Sequence, residues 1–177
     1  MSEQKTGQTG QTAQTDWWSL DWNDLRAGKH CPLCDRKGVT APYWTVVGQL
    51  SVSTLTLSHD SRFRGNAVLI FDPRHVTCYE DMTDAEYTAY MDDLRRAARA
   101  IKEVVKPDHM NYDFVGALIP HMHMHIFPRF KTDMKWGMPV YSGWTNKEMA
   151  ASVIKYDPAE LADLVSQVAH RLGLSKS

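Results

Sequence analysis

The 177-residue sequence predicts a mixed fold of short strands and amphipathic helices. Three stretches carry that prediction. His121-Met122-His123-Met124-His125-Ile126 alternates imidazoles with apolar side chains, the two-residue period of a strand. Ala67-Val68-Leu69-Ile70-Phe71 is a continuous apolar run of strand length, which suits a central strand. From Thr83 to Val105, apolar residues return at steps of three and four, the repeat of a helix with one buried face.

In chain order, residues 1–15 are Gln, Thr, Gly, Ser and Lys with almost no apolar content, and predict a disordered tail. The remainder, 16–177, has the size of one domain. Asp16 is placed to cap a short helix carrying Trp17, Trp18, Leu20, Trp22 and Leu25, whose tryptophans need a surface to bury against. Cys31-Pro32-Leu33-Cys34 follows. A Cys-x-x-Cys has three readings: half a zinc site, a redox pair, or no function. Tyr43–Val47 and Val52–Leu57 have strand composition, with Gly48-Gln49 as the expected turn. A polar loop, Ser58 to Gly65, leads to the central strand, which ends at Asp72-Pro73-Arg74-His75.

Thr83-Asp84-Ala85-Glu86 has the form of a capping box. The helix behind it carries Tyr87, Tyr90, Met91, Leu94, Ala98, Ile101 and Val105 on one stripe, with Arg95, Arg96, Arg99 and Lys102 on a solvated face. Pro107 ends it. Met110–Val115 predicts a strand, and Gly116–Pro120 a connection into the histidine strand. In that strand His121, His123 and His125 share one face, while Met122, Met124 and Ile126 turn to the core. After Arg129 the chain is irregular, with Trp136, Tyr141 and Trp144. Asp157-Pro158 opens a last helix of about 157–172, with Leu161, Leu164, Val165, Val168 and Leu172 inward and Gly173 as its stop.

Composition excludes some functions. Lys and Arg number 20 against 21 Asp and Glu, so no bulk charge attracts nucleic acid or a membrane surface. No apolar run reaches the roughly 20 residues of a spanning helix, and no signal peptide is visible. Three cysteines without a secretory signal predict a cytoplasmic protein that uses its Cys-x-x-Cys for metal or redox work. Cys78 is expected to be a buried structural cysteine.

Taken together, Arg62 to Tyr141 resembles the histidine triad superfamily. Its signature, His-φ-His-φ-His-φ-φ with φ apolar, is met by His121 to Phe127. Gly65-Asn66-Ala67-Val68-Leu69-Ile70 followed by His75, Asn111 before the triad, and Pro128-Arg129 after it extend the likeness. Arg62-Phe63-Arg64-Gly65, Met110-Asn111-Tyr112 and Trp136-Gly137 are similar to a bacterial branch described as diadenosine-polyphosphate hydrolase-like.

The resemblance implies an α+β fold: a curved antiparallel sheet of about five strands, one long helix across it, here an additional C-terminal helix, and a homodimer. It implies a purine nucleotide substrate, dinucleoside polyphosphate or phosphoramidate, cleaved at the α-phosphate through a nucleotidyl-His123 intermediate. His125 would contact the phosphate, Asp60 the ribose, and Asn111 the phosphate or leaving group. In some bacterial members one zinc is held by residues matching Cys31, Cys34, His75 and His121, a closed structural set. One departure stands out. Ala117 replaces a polar residue of the loop before the triad, which leaves room for a nucleotide-binding module with little turnover.

Overall fold

The computed structural model describes residues 20–35, 43–133, 136–140, 142–143, 145, 148 and 153–174. The expected tail, Asp16, Trp17, Trp18, Tyr141 and Trp144 lie outside the described residues. Helices α1 (Trp22–Arg26) and α2 (Pro32–Asp35) come first. Strands β1 (Trp44–Gln49), β2 (Ser53–Ser58) and β3 (Ala67–Phe71) follow. Then come helix α3 (Asp84–Val105), strands β4 (His109–Asp113) and β5 (His123–Arg129), and helix α4 (Pro158–Arg171).

The five strands form one antiparallel sheet in the order β1-β2-β3-β5-β4. The histidine strand therefore lies inside the sheet, between β3 and β4. Its alternation behaves as the sequence requires. Met122, Met124 and Ile126 join Leu55, Leu57, Leu69 and Phe71 on the face covered by α3 and α4. The opposite face carries His123 and His125, aligned with Ile70 and Val68 of β3.

The long helix begins at the expected capping box: Thr83 Oγ1 accepts from the Glu86 amide, and Glu86 accepts from the Thr83 amide. Its stripe is shifted from the expected one. Tyr87 and Met91 are exposed, while Asp93, Ala97 and Ala100 are buried. Asp93 is 1% exposed because its carboxylate accepts from the Ser51 amide and hydroxyl, the Val52 amide and the Ser53 hydroxyl. Three of those donors belong to the β1–β2 connection, and the fourth, the Ser53 hydroxyl, opens β2.

That connection lies at Leu50–Val52 and not at Gly48-Gln49, which remain in β1 behind a bulge between Val46 and Gly48. The Asp93 carboxylate supplies the acceptors the turn lacks. Gly48 has another duty: a Cβ there would sit 2.6 Å from Leu174 Cδ1, so its bare backbone lets the end of the C-terminal helix approach β1. Asp157 caps α4 as expected, accepting from the Ala159 and Glu160 amides. Asp21 caps α1, and Trp22 stays 45% exposed. Cys78 is half-buried, not buried. No helix among the described residues is long and apolar enough to cross a membrane.

Candidate active face and metal centre

Strand β5 starts at His123, so His121 lies just before it and not within it. The reason is backbone pairing. The Met122 amide donates to the Val76 carbonyl at 2.6 Å, and the Met122 carbonyl accepts from the Phe71 amide at 3.0 Å. This peels residues 121–122 toward the segment after β3 and separates the first histidine from the other two.

The His121 ring Nε2 lies 2.8 Å from the Phe71 carbonyl oxygen. An imidazole nitrogen that close to a carbonyl must carry the proton, so Nδ1 presents its lone pair. That Nδ1 sits 3.5 Å from Cys31 Sγ and 3.4 Å from Cys34 Sγ. His75 repeats the device: Nε2 donates to the Arg26 carbonyl at 3.1 Å, and Nδ1 lies 3.4 Å from Cys34 Sγ.

The ligand atoms of Cys31, Cys34, His75 and His121 all fall within 4.8 Å of one another. A tetrahedron with metal–sulfur legs of about 2.3 Å and metal–nitrogen legs of about 2.0–2.1 Å has sulfur–nitrogen edges of about 3.5 Å. Three sulfur–nitrogen edges, at 3.4–3.5 Å, match, and both rings are oriented by outer carbonyls as metal-bound histidines are. The four residues thus form a cluster able to hold a metal ion. Gly28, with φ +81°, makes room for it: a Cβ there would meet the His75 ring at 3.2 Å.

His123 is held by main chain. Its Nδ1 donates to the His121 carbonyl at 2.6 Å, leaving Nε2 as the lone-pair nitrogen. The peptide that carries this carbonyl is the one whose N–H is fixed on Val76. His125 stands next on the same face, its ring 5.3 Å from that of His123. Phe127 stacks on His125 at 5.8 Å with the planes 6° apart, and Trp44 meets it edge-on at 6.2 Å.

Burial keeps both rings neutral. It lowers the His123 pKa against the opposing pull of the His121 carbonyl. Burial, reinforced by the charge of His123, pushes His125 down to about 3. Two neutral imidazoles on one face can offer a lone pair and an N–H without carrying charge.

The expected nucleotide contacts are placed unevenly. Asn111 pairs with Phe127 in the β4–β5 ladder and so shares the histidine face. Asp60 lies in the loop after β2, where its carboxylate accepts from the Arg62 amide and from the guanidinium, the closest contact at 2.5 Å. Both side chains of that pair are largely buried, 7% and 14% exposed.

A model of the HIT domain matches residues 43–132. The chain belongs to the HIT family. A bis(5'-nucleosyl)-tetraphosphatase (asymmetrical) from Schizosaccharomyces pombe is 31% identical over 80 residues, 42% of this chain and 44% of that protein. The match therefore spans less than half the length of that relative. Among solved structures, a histidine triad protein from Bradyrhizobium japonicum has a TM-score of 0.63 at 22% identity, covering 74% of this chain and 99% of that one. A Zn-bound histidine triad family protein from Mycobacterium smegmatis has a TM-score of 0.54 at 20% identity, covering 81% of this chain and 94% of that one. At such identities these two show a shared HIT fold.

Three residues of the HIT face escape a reading of the sequence: Trp44, Phe127 and Asp113. Asp113 is opposite His125 in the ladder, its carboxyl raised by burial against the opposing charge of Arg129. Only strand register places Trp44 and Asp113 there. Phe127 was within reach, since it continues the alternation of the histidines.

Proposed function

We propose that this HIT protein is a nucleotide hydrolase that cleaves dinucleoside polyphosphates or nucleoside phosphoramidates at the α-phosphate through His123. One observation carries the reading: Nδ1 of His123 is committed to the His121 carbonyl at 2.6 Å, so Nε2 is the nitrogen that points its lone pair outward. Nε2 attacks the α-phosphorus, a nitrogen–phosphorus bond forms, and the bond to the leaving oxygen or amine nitrogen breaks, its electron pair departing with the leaving group and a leaving amine taking a proton from solvent. Water then attacks the same phosphorus, the nitrogen–phosphorus bond breaks, and a nucleoside monophosphate departs as the water's proton passes to solvent. His125, held neutral, donates an N–H to a phosphate oxygen and stabilises charge developing there. Asn111 supplies a further amide on the same face. The tetraphosphatase relative supports hydrolase chemistry in this reading.

Zinc is the ion the cluster suits, since two thiolates and two imidazoles make a closed structural set with no open position. Bound there, it would tie the amino-terminal segment to the residues that hold His123. The substrate would be a purine nucleotide and the working unit a homodimer.

A second reading is a nucleotide-binding module with little turnover. Two observations favour it: Ala117 brings no polar side chain to the loop before the triad, and the Asp60 carboxylate is engaged by Arg62. Incubation with a dinucleoside polyphosphate labelled at the α-phosphate, followed by denaturation, separates the two. The hydrolase reading expects acid-labile label on the wild-type protein, none on His123→Ala, and release of nucleoside monophosphate. Nucleotide binding with neither label nor product would establish the module.

A further inference from the structure

Helix α1 touches both the metal cluster and the loop that leads into the triad. At one end its Arg26 carbonyl accepts from the His75 ring, which faces the cluster with its other nitrogen. One turn earlier, the Trp22 indole N–H donates to the Ala117 carbonyl at 2.9 Å, across 95 residues of sequence. The Arg26 guanidinium lies 5.6 Å over the indole and steadies it. The five residues of α1 thus connect a cluster histidine to Ala117.

The loop at the far end is held by packing at its edges, Phe114 against the main core and Ile119 against the cluster of Cys31, Leu33, Val68 and Ile70, and the Trp22 contact falls between them. Residues 114–119 form no strand or helix, and Val115, Ala117 and Leu118 are exposed. A cavity of about 570 Å³ opens beneath the contact, lined by Trp22, Arg26, Thr77, Cys78, Phe114 and Gly116 among others. The indole reaches the loop over this gap, as a strut and not as part of a packed layer. The loop then runs through Ile119, whose carbonyl accepts from the His121 amide at 2.8 Å.

We infer that Trp22 is a positioning residue: its indole N–H pins the 116–119 loop to α1, so that filling the cysteine–histidine cluster and setting the entrance to the histidine strand are coupled. The side-chain amide that Ala117 lacks is not replaced; the loop's shape is instead imposed through its backbone. Without the strut, the loop samples other positions over the cavity. Metal on Nδ1 would fix the His75 ring and, through its Nε2 contact with the Arg26 carbonyl, the base of the strut. The inference leans on the proposed function only for its effect on turnover.

Amide hydrogen exchange on the full chain tests it without substrate. Trp22→Phe keeps a ring but removes the donor. The His121 amide, which donates to the Ile119 carbonyl at the end of that loop, should then exchange roughly three- to tenfold faster, the span expected of one neutral hydrogen bond, with metal content unchanged. Chelation of the wild-type protein should accelerate the same amide, and chelation of Trp22→Phe should add little further. Should Trp22→Phe fail to fold, Arg26→Gln, which removes the cation over the indole, is expected to act in the same direction.

Unchanged exchange at the His121 amide in the variant overturns the positioning role. Unchanged exchange on chelating the wild type, or equal acceleration in both proteins, overturns the coupling. Loss of metal in Trp22→Phe would make Trp22 a part of the cluster's scaffold and also refute the inference. If no dinucleoside polyphosphate is cleaved while the exchange results hold, the proposed function fails and the strut stands.

Discussion

Replacing Asp93 by Ala should unfold this protein more readily than almost any other single change on the helix. The carboxylate is 1% exposed and accepts four hydrogen bonds at 2.8–3.2 Å from residues 51–53. A hydrogen bond to a charged group is worth about 1.5–3 kcal/mol net, but four on one carboxylate do not add. In Asp93→Ala, Ser51 is exposed and finds water, whereas the Val52 amide and the buried Ser53 hydroxyl are left short of a partner. Removing the buried carboxylate also returns part of its desolvation cost. The net loss should be about 3–5 kcal/mol, a large share of the ~5–15 kcal/mol that holds a domain together. Asp93→Asn keeps one acceptor oxygen for two of the donors and should lose about half as much. Urea unfolding at fixed metal saturation reads both variants as a lower midpoint with an unchanged slope. A loss below about 1 kcal/mol for Asp93→Ala would refute the idea that this carboxylate builds the β1–β2 turn. The histidine face is on the other side of the sheet, so the cysteine–histidine cluster and the His123 contact should hold in the surviving folded protein.

Three further outcomes are expected. Metal analysis should find about one zinc per chain, lost in Cys31→Ser and retained in His123→Ala, because only the first removes a ligand of the closed set. Gly28→Ala should weaken metal retention in a chelator competition, since φ +81° disfavours a side chain and the new Cβ would press on the His75 ring at 3.2 Å. Acid should cost stability through His125, whose folded pKa of about 3 lies below the ordinary value of 6.5. The unfolded chain binds a proton there that the folded one refuses. The native state is therefore favoured fully above pH 6.5 and loses ground as pH falls toward 3, by at most about 1.4 kcal/mol per unit. His125→Gln should flatten that part of the urea-midpoint profile, and an unchanged slope would count against a buried neutral His125.

How much of this was legible in the sequence follows from which contacts are local. The capping box at Thr83, the cap at Asp157 and the strand Ala67–Phe71 need only neighbours in the chain, and all three formed as read. The alternation from His121 to Ile126 sets two faces by itself, so the core side was readable too. The β1–β2 turn was misplaced because its acceptors come from Asp93, about 40 residues away. The same reason hid Asp93 in a helical stripe: a carboxylate reads as solvent-facing until its donors are known. In the site, the cysteine–histidine set came together as the family likeness implied. Asp60 lies in the loop after β2, and Arg62, two residues on, occupies its carboxylate, a pairing that the polar composition of that loop does not single out. The Trp22–Ala117 contact joins residues 95 apart in the chain and has no trace in composition or period.

Residue 121 performs two tasks with different parts of itself. Its imidazole faces the thiolates, while its carbonyl steers the neighbouring ring, and the peptide bearing that carbonyl is anchored on Val76. Genetics at this position therefore separates what looks inseparable. A side chain unable to bind metal need not disturb the orientation of His123, provided the amide plane stays where Val76 keeps it. A histidine conspicuous in the signature is, for the imidazole two places on, replaceable by any residue that leaves the main chain alone.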